Sequence, residues 1–257
     1  MSAVRALVRP PGPRFVAALN GFLGPAGAAL DPERARAQHA GVVEALRALG
    51  LRVEELRSAD DHPDGCFVED HAVVVGRQAI LLRTGAPTRR AEAGVVHAAV
   101  KRWMSTLPLV GEGTVDGGDV LVVGRTVYVG VGPRTTAAGA DALRRTVPPG
   151  FTVREVPLPP GQLHLKCGVS QPHPGFILLA DTMPFAPFAR EEVRVVDGAD
   201  AYAANALGVG DTVLLPAGYP RVRRIVEAEG LAVRELPMDE LRKADGSLTC
   251  LALLLPG

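Results

Sequence analysis

The sequence predicts an α/β protein built from five related units, and three observations predict it. One order of elements recurs along the 257 residues: an amphipathic helix, an alternating strand, a turn-rich loop, a polar residue, then an apolar strand. Three of the alternating strands resemble one another: Val53-Glu54-Glu55-Leu56, Val153-Arg154-Glu155-Val156 and Val233-Arg234-Glu235-Leu236. The copies recur at intervals of about 45–50 residues, a spacing typical of radial or stacked arrays. Units that mix strands with one helix argue for an α/β class. Five such units around an axis would bring their loop-end residues together at the centre. The alternative on spacing alone is a doubly wound α/β sheet with ordinary βα loops.

The elements follow in order. The first unit has a helix near 32–49 and a strand at 51–56. Its loop, Ser58 to Gly65, delivers Phe67-Val68-Glu69-Asp70 before the strand His71-Ala72-Val73-Val74-Val75. The second has a helix near 88–104 and the strand Leu107-Pro108-Leu109-Val110, then Asp116-Gly117-Gly118-Asp119 before Val120–Val123. The third has a helix near 134–145 and a strand at 151–156, then His164 in Leu163-His164-Leu165-Lys166, and a strand around Phe176–Leu179. A weaker fourth copy runs from Val193–Val196 through a short helix carrying Tyr202 and Asn205 to Thr212–Leu215. The last has a helix near 219–229 and a strand at 231–236, and its loop delivers Asp245-Gly246 and Cys250.

Composition excludes several classes. Apolar residues make up 47% and the formal net charge is zero, as in an ordinary globular protein. A neutral chain has no electrostatic reason to bind nucleic acid or a membrane surface. No apolar run approaches ~20 residues, so no transmembrane helix is expected. The start, MSAVRALVRPPGPR, shows no signal-peptide pattern. Three scattered cysteines are too few for a disulfide framework, so a reducing, cytoplasmic setting is expected.

The candidate chemistry lies at equivalent points of the repeat. Glu69 and Asp70, Asp116 and Asp119, and His164 each follow a loop and precede an apolar run. Cys250 reads as a thiol at the start of a buried strand, or else as a small buried hydrophobe. His164 sits between two leucines and would share a strand face with Lys166, a face costly to bury unless it is wet, paired or functional. Asp116-Gly117-Gly118-Asp119 reads as a tight turn with glycine at positive φ. Asp60, Asp61, His62, Asp64, Glu69, Asp70 and His71 form a dense set of metal-ligand types, but no spacing matches a known metal motif.

One Cys, one His and several acids suit a guanidinium substrate. A guanidinium is planar and cationic, so carboxylates hold it through paired charge-assisted hydrogen bonds. A thiolate can attack its carbon if the acids fix the plane and a His protonates the departing amine. A cation bound beside the thiol also favours the thiolate.

Phe67-Val68-Glu69-Asp70, Gly85-Ala86-Pro87-Thr88-Arg89-Arg90, Asp116-Gly117-Gly118-Asp119-Val120, Leu163-His164-Leu165-Lys166 and Asp245-Gly246-Ser247-Leu248-Thr249-Cys250 occur in an order and spacing that resembles the dimethylarginine dimethylaminohydrolase family over nearly the whole chain. The resemblance implies the pentein fold, a five-bladed α/β propeller of pseudo-fivefold symmetry with its site at the axis, here a single catalytic domain over 1–257. It implies hydrolysis of N-methylated arginines to citrulline and a methylamine through a covalent thiouronium, with no metal and no cofactor. It implies Cys250 as nucleophile, His164 as general acid and then base, and Asp116 as the group that orients His164. Asp70 and Glu69 would hold the guanidinium, and Arg89 and Arg134 the substrate α-carboxylate. Asp64 would receive the α-amino group beside the backbone carbonyl of Ala244 or Asp245. A lid is implied over roughly 19–30, with Leu19 as a contact. The expected partner is the small-molecule substrate, with neither nucleic acid nor membrane, and the protein a monomer or homodimer. Alternatives are a deiminase or dihydrolase acting on arginine or another guanidine, and a non-catalytic pentein binding module.

Overall fold

The structure is a computed structural model describing residues 3–22, 27–184, 188 and 192–256. Its strands form five separate three-stranded sheets, the blades of a five-bladed α/β propeller. Four blades repeat one path. A 3-10 turn leads into an antiparallel strand, a hairpin returns as the central strand, and the chain crosses over to a parallel outer strand. The second blade comprises β3 (Ala72–Val75), β4 (Gln78–Leu81) and β5 (Ser105–Pro108), with helix α2 (Ala93–Trp103) in the crossover. The third comprises β6 (Val120–Val123), β7 (Thr126–Val131) and β8 (Thr152–Pro157), with α3 (Ala137–Thr146). The fourth comprises β9 (Val169–His173), β10 (Phe176–Ala180) and β11 (Val193–Val196). The fifth comprises β12 (Leu207–Val209), β13 (Thr212–Pro216) and β14 (Ala232–Leu236), with α4 (Pro220–Ala228).

The first blade closes the ring from both ends of the chain. Its central strand β1 (Ala3–Val8) pairs in parallel with β2 (Arg52–Glu55) across helix α1 (Pro32–Ala48). Its antiparallel strand is β15 (Ala252–Pro256), which follows a short helix α5 (Asp239–Lys243). Cys250 therefore enters the first blade from the far end of the sequence.

Local chemistry sets these boundaries. Helix α1 starts where the Asp31 carboxylate accepts the N–H groups of Glu33 and Arg34, with Pro32 at the first helical position. It buries Ala35, Val42, Val43, Ala45 and Leu46, the stripe expected of a 3.6-residue period. In α3 the cap is Thr136, whose hydroxyl accepts from Gly139 N–H, so the helix starts at 137 rather than the expected 134. Helix α2 starts at 93 rather than 88, because Pro87–Glu92 form a 3-10 turn instead. Strand β5 lies two residues earlier than expected.

The sequence-based unit held only one strand of each hairpin: the antiparallel strand in the second and third blades, the central strand in the fourth and fifth. Two-residue turns mark the hairpins: Gly76-Arg77, Gly124-Arg125, Pro174-Gly175 and Gly210-Asp211, each with its glycine at positive φ. Such pairs join antiparallel strands whose twist suits a left-handed residue in the turn. The fourth unit's short helix is a 3-10 segment, Gly198–Ala204, which holds Tyr202 and is capped by Asn205.

Candidate active site

Five 3-10 turns meet at the propeller axis: Val68–His71, Gly117–Asp119, Leu165–Cys167, Gly198–Ala204 and Thr249–Leu251. Each touches the next along the chain as far as the fourth, and the fifth packs against the first. Two expectations are corrected here. Cys250 lies inside the last turn, two residues before β15, not at the start of a strand. His164 immediately precedes its turn, and no strand face is shared with Lys166. The physical reason is the same in both cases: a tight polar turn precedes the inner strand of each blade.

A narrow cavity opens over these turns. Leu19, Asp64, Phe67, Asp70, Arg89, Arg134, Leu163, His164, Ala244, Asp245 and Cys250 line it. Of the residues expected at the site, Glu69 and Asp116 do not line it but stand behind. A larger open groove, about 830 Å³, runs past Arg5, Glu54, Arg102 and Trp103 on the outside of the first blade. It contains no nucleophile, so size does not identify the chemistry here.

His164 Nε2 lies 3.0 Å from Asp116 Oδ2 and 4.0 Å from Asp70 Oδ1. Burial alone would depress the imidazole pKa. The charges of Asp70 and Asp119 and the hydrogen bond with Asp116 outweigh it and raise the pKa well above the usual histidine range. These surroundings favour the imidazolium, in which Nε2–H donates to Asp116. Asp116 is itself fixed, its Oδ1 accepting Gly85 N–H at 2.7 Å. Thr135 continues the network, donating its hydroxyl to Asp119 at 2.6 Å and accepting Asp116 N–H at 3.1 Å.

Gly117 and Gly118 do not have the positive φ expected of them. They are glycines because neighbours crowd them. A Cβ on Gly117 would meet the Glu69 carbonyl oxygen at 1.9 Å, and one on Gly118 would meet His164 Nδ1 at 2.8 Å. Gly118 N–H also donates to Asp70 Oδ1 at 2.9 Å.

The acid pair divides. Asp70 accepts Arg89 Nη1–H at 2.5 Å. Burial raises its pKa, but His164, Arg89 and the Gly118 N–H hold it well below the usual carboxylate range. Glu69 turns away from the cavity to Lys166 Nζ and to Thr249 Oγ1, the latter donating at 2.8 Å. Burial pushes Glu69 up and Lys166 partly offsets this.

The two arginines also differ. Arg89 donates Nε–H to Glu92 at 3.0 Å and Nη2–H to the Phe67 carbonyl at 3.0 Å, besides its bond to Asp70. Glu92 was missed in the sequence, since nothing there sets it apart from other helix-start acids. Arg134 Nη1 is buried with no hydrogen-bond partner, 3.9 Å from Asp116 Oδ2.

Two acids tie down the segment above the cavity. Asp64 Oδ1 accepts Leu19 N–H at 3.0 Å, and Asp245 Oδ1 accepts Phe22 N–H at 2.9 Å. Burial, partly countered by Arg89, pushes Asp64 up to about 6. Asp245 has φ +57°, the left-handed region that an Asp tolerates better than most residues. Of the expected lid, residues 23–26 lie outside the described residues.

Cys250 keeps part of its surface on the cavity and is otherwise enclosed. Burial, then the charges of Glu69 and Asp70, raise its thiol pKa well above the ordinary value. The empty site therefore favours the neutral thiol, and a bound cation would reverse that balance. The dense acidic stretch after Ser58 does not converge on a metal. Glu69 turns to Lys166, His71 to Glu92 and Asp64 to Leu19. Among the described residues, only Asp70, Asp116 and His164 bring ligand atoms within 4.8 Å of one another, and hydrogen bonds already engage them.

A family model for arginine deiminase matches residues 52–156. The N(G),N(G)-dimethylarginine dimethylaminohydrolase of Pseudomonas aeruginosa is 31% identical over 87% of this chain and 89% of its own length. The enzyme of the same name from Streptomyces coelicolor is 35% identical over 99% and 98%. A solved structure of the Pseudomonas aeruginosa protein, a Cys-to-Ser mutant complexed with citrulline, superposes with a TM-score of 0.88 at 30% identity, covering 98% of this chain and 99% of that one. The N-terminal domain of ArgZ, a cyanobacterial arginine dihydrolase, superposes with a TM-score of 0.84 at 21% identity and shares the fold.

Proposed function

The chain belongs to the dimethylarginine dimethylaminohydrolase family, and from that premise we propose that it hydrolyses N-methylated arginines to citrulline and a methylamine. One observation carries the reading. Cys250, His164 and Asp70 open on one cavity, and Asp116 holds the imidazole from behind.

The substrate guanidinium enters as a cation beside Asp70, with Glu69 adding negative charge from behind. Its arrival offsets the two carboxylates that disfavour the Cys250 thiolate. As the cation binds, the Cys250 thiol loses its proton to solvent water, and the Sγ thiolate attacks the guanidinium carbon. The bond to the methylated nitrogen breaks, and His164 delivers a proton to the departing dimethylamine. A thiouronium remains on Cys250. His164, now neutral, takes a proton from water as that water attacks the same carbon. The C–S bond breaks, the hydroxyl proton of the adduct passes to the departing Sγ, and citrulline is released. Asp116 keeps the imidazole oriented and favours its charged form through both halves.

The far end of the substrate is an amino acid. Arg134, with an unfilled N–H group, and Arg89 suit its α-carboxylate. Asp64 and the backbone carbonyl of Ala244 or Asp245 suit the α-ammonium, and Leu19 covers the chain between. One catalytic domain over 1–257, acting as a monomer or homodimer without metal, completes the reading. Three free cysteines, including an essential one, suit a cytoplasmic location.

The test is citrulline release from dimethylarginine, monomethylarginine and arginine, measured side by side for the wild type and Cys250→Ser. Release from the methylated substrates by the wild type, and binding without release by Cys250→Ser, is the expected result. Release by Cys250→Ser at the wild-type rate, or a wild type active on arginine alone, would overturn it.

A further inference from the structure

The fourth turn contributes no residue to the chemistry just described, yet it reaches the axis as the others do. Its end is Asn205, 2% exposed and packed behind the cavity. Three hydrogen bonds engage both donors and the oxygen of its amide. Nδ2 donates to the Lys166 carbonyl at 2.9 Å and to Thr249 Oγ1 at 3.0 Å, and Oδ1 accepts Thr249 N–H at 3.1 Å. Lys166 lies in the turn that His164 opens, and Thr249 immediately precedes Cys250. One side chain thus bridges the turn of the acid and the turn of the nucleophile.

We propose that Asn205 is a positioning residue, which sets the distance between His164 and Cys250 by clamping their two turns together. This deepens the functional reading above and rests on it. The amide has the two donors and one acceptor that this place needs, in one plane. An aspartate has no donor and would set a carboxylate oxygen against the Lys166 carbonyl. Thr249 Oγ1, held by Asn205, donates its own hydrogen bond to Glu69 Oε2 at 2.8 Å. Both halves of the reaction need Cys250 and His164 at fixed separation, whereas Asp64, Arg89 and Arg134, suited to the amino-acid end of the substrate, lie on other loops. Loss of the clamp should act on kcat and spare binding.

The experiment compares wild type, Asn205→Ala and Asn205→Ser for citrulline release from dimethylarginine, with kcat and KM separated. Affinity is measured calorimetrically for Cys250→Ser with and without Asn205→Ala. Asn205→Ala should lower kcat about 30-fold or more, with KM and affinity within about threefold. Asn205→Ser, which keeps one short polar group, should fall between it and the wild type. If Asn205→Ala does not fold, Asn205→Ser decides alone, and a wild-type kcat for it overturns the proposal. So does a loss shared equally by affinity and kcat, or no loss in Asn205→Ala. A wild type inactive on methylated arginines would remove the functional reading, and this proposal with it. An active wild type with an indifferent Asn205 removes only the clamp.

Discussion

His164 Nε2 stands 3.0 Å from Asp116 Oδ2, and neither group is open to bulk solvent. The pair joins the entry turns of the third and fourth blades and stabilises the imidazolium that the reaction needs as its acid. Asp116→Asn should keep the shape and lose the charge. We expect kcat to fall about 100-fold, in the range for losing general acid–base function. The alkaline limb of the pH–rate profile should move to lower pH, since His164 then loses its proton more easily. Titration of His164 by NMR checks this directly, and an unmoved imidazole pKa would refute the role given to Asp116. The stability sign follows the raised pKa. The stabilisation is fully present below the unfolded histidine value near 6.5 and is lost as pH rises through the folded value. Wild-type Tm should therefore decline on the alkaline side, and less so in Asp116→Asn.

Asp64 titrates at the other end of the cavity. Its pKa, pushed up to about 6, means that the charge suited to an α-ammonium is lost as pH falls through that value. KM for dimethylarginine should rise as pH drops from 7 to 5 while kcat changes less. Asp64→Asn should show a high KM at all pH values and lose this dependence. For stability the sign is reversed. A carboxyl with a raised folded pKa favours the fold below its unfolded value and ceases to do so as pH rises through about 6. A KM independent of pH in the wild type would remove Asp64 from the substrate.

Lys166 and Glu69 form a pair whose side chains are each about 10% exposed. Removing one charge leaves the other buried and uncompensated, which costs about 3–5 kcal/mol in comparable settings. Lys166→Met should lower stability by about that amount at pH 8. The loss should shrink between pH 8 and pH 5, because burial already raises the Glu69 pKa and loss of Lys166 raises it further, easing protonation in the folded state. Lys166→Met with Glu69→Gln should regain most of the difference. Denaturant midpoints at the two pH values measure it, and equal losses at both would show that the pair is not held by charge.

The axis was legible because chemistry-bearing residues recur at one address in each unit, and the alternating outer strands repeat almost verbatim. The hairpins were legible only in part, since one strand of each was read: Ala72–Val75 and Val120–Val123 on the antiparallel side, Phe176–Leu179 and Thr212–Leu215 in the centre. Their partners are short strands set off by a two-residue turn such as Gly76-Arg77. The phase of the unit was also hidden. Cys250 is the entry turn of the first blade, and nothing near the C-terminus says that β15 pairs with β1. At the site, the residues that face the cavity were readable from their types. The supports behind them were not: Glu92 under Arg89, Thr249 against Glu69, and Asn205 between two turns all owe their roles to contacts across many residues of sequence.

Gly118 tests how tightly these turns are packed. Its backbone lies between His164 and Asp70, and a methyl group there would come within 2.8 Å of Nδ1 and 3.0 Å of Asp70 Oδ1. Neither neighbour can give way freely, since His164 is held by Asp116 and Asp70 by Arg89. The methyl must displace the imidazole, the carboxylate or the turn. A misplacement of about 1 Å at a reacting group can cost roughly 100-fold in rate. Gly118→Ala should therefore lose about that factor in kcat. Gly94→Ala is the control. Gly94 lies in α2 with nothing within 4 Å of the added methyl, so it should keep full activity and gain up to about 1 kcal/mol of stability. Equal kcat in the two variants would mean that the turn relaxes around the methyl, and that the site does not depend on the close approach of Gly118 to His164.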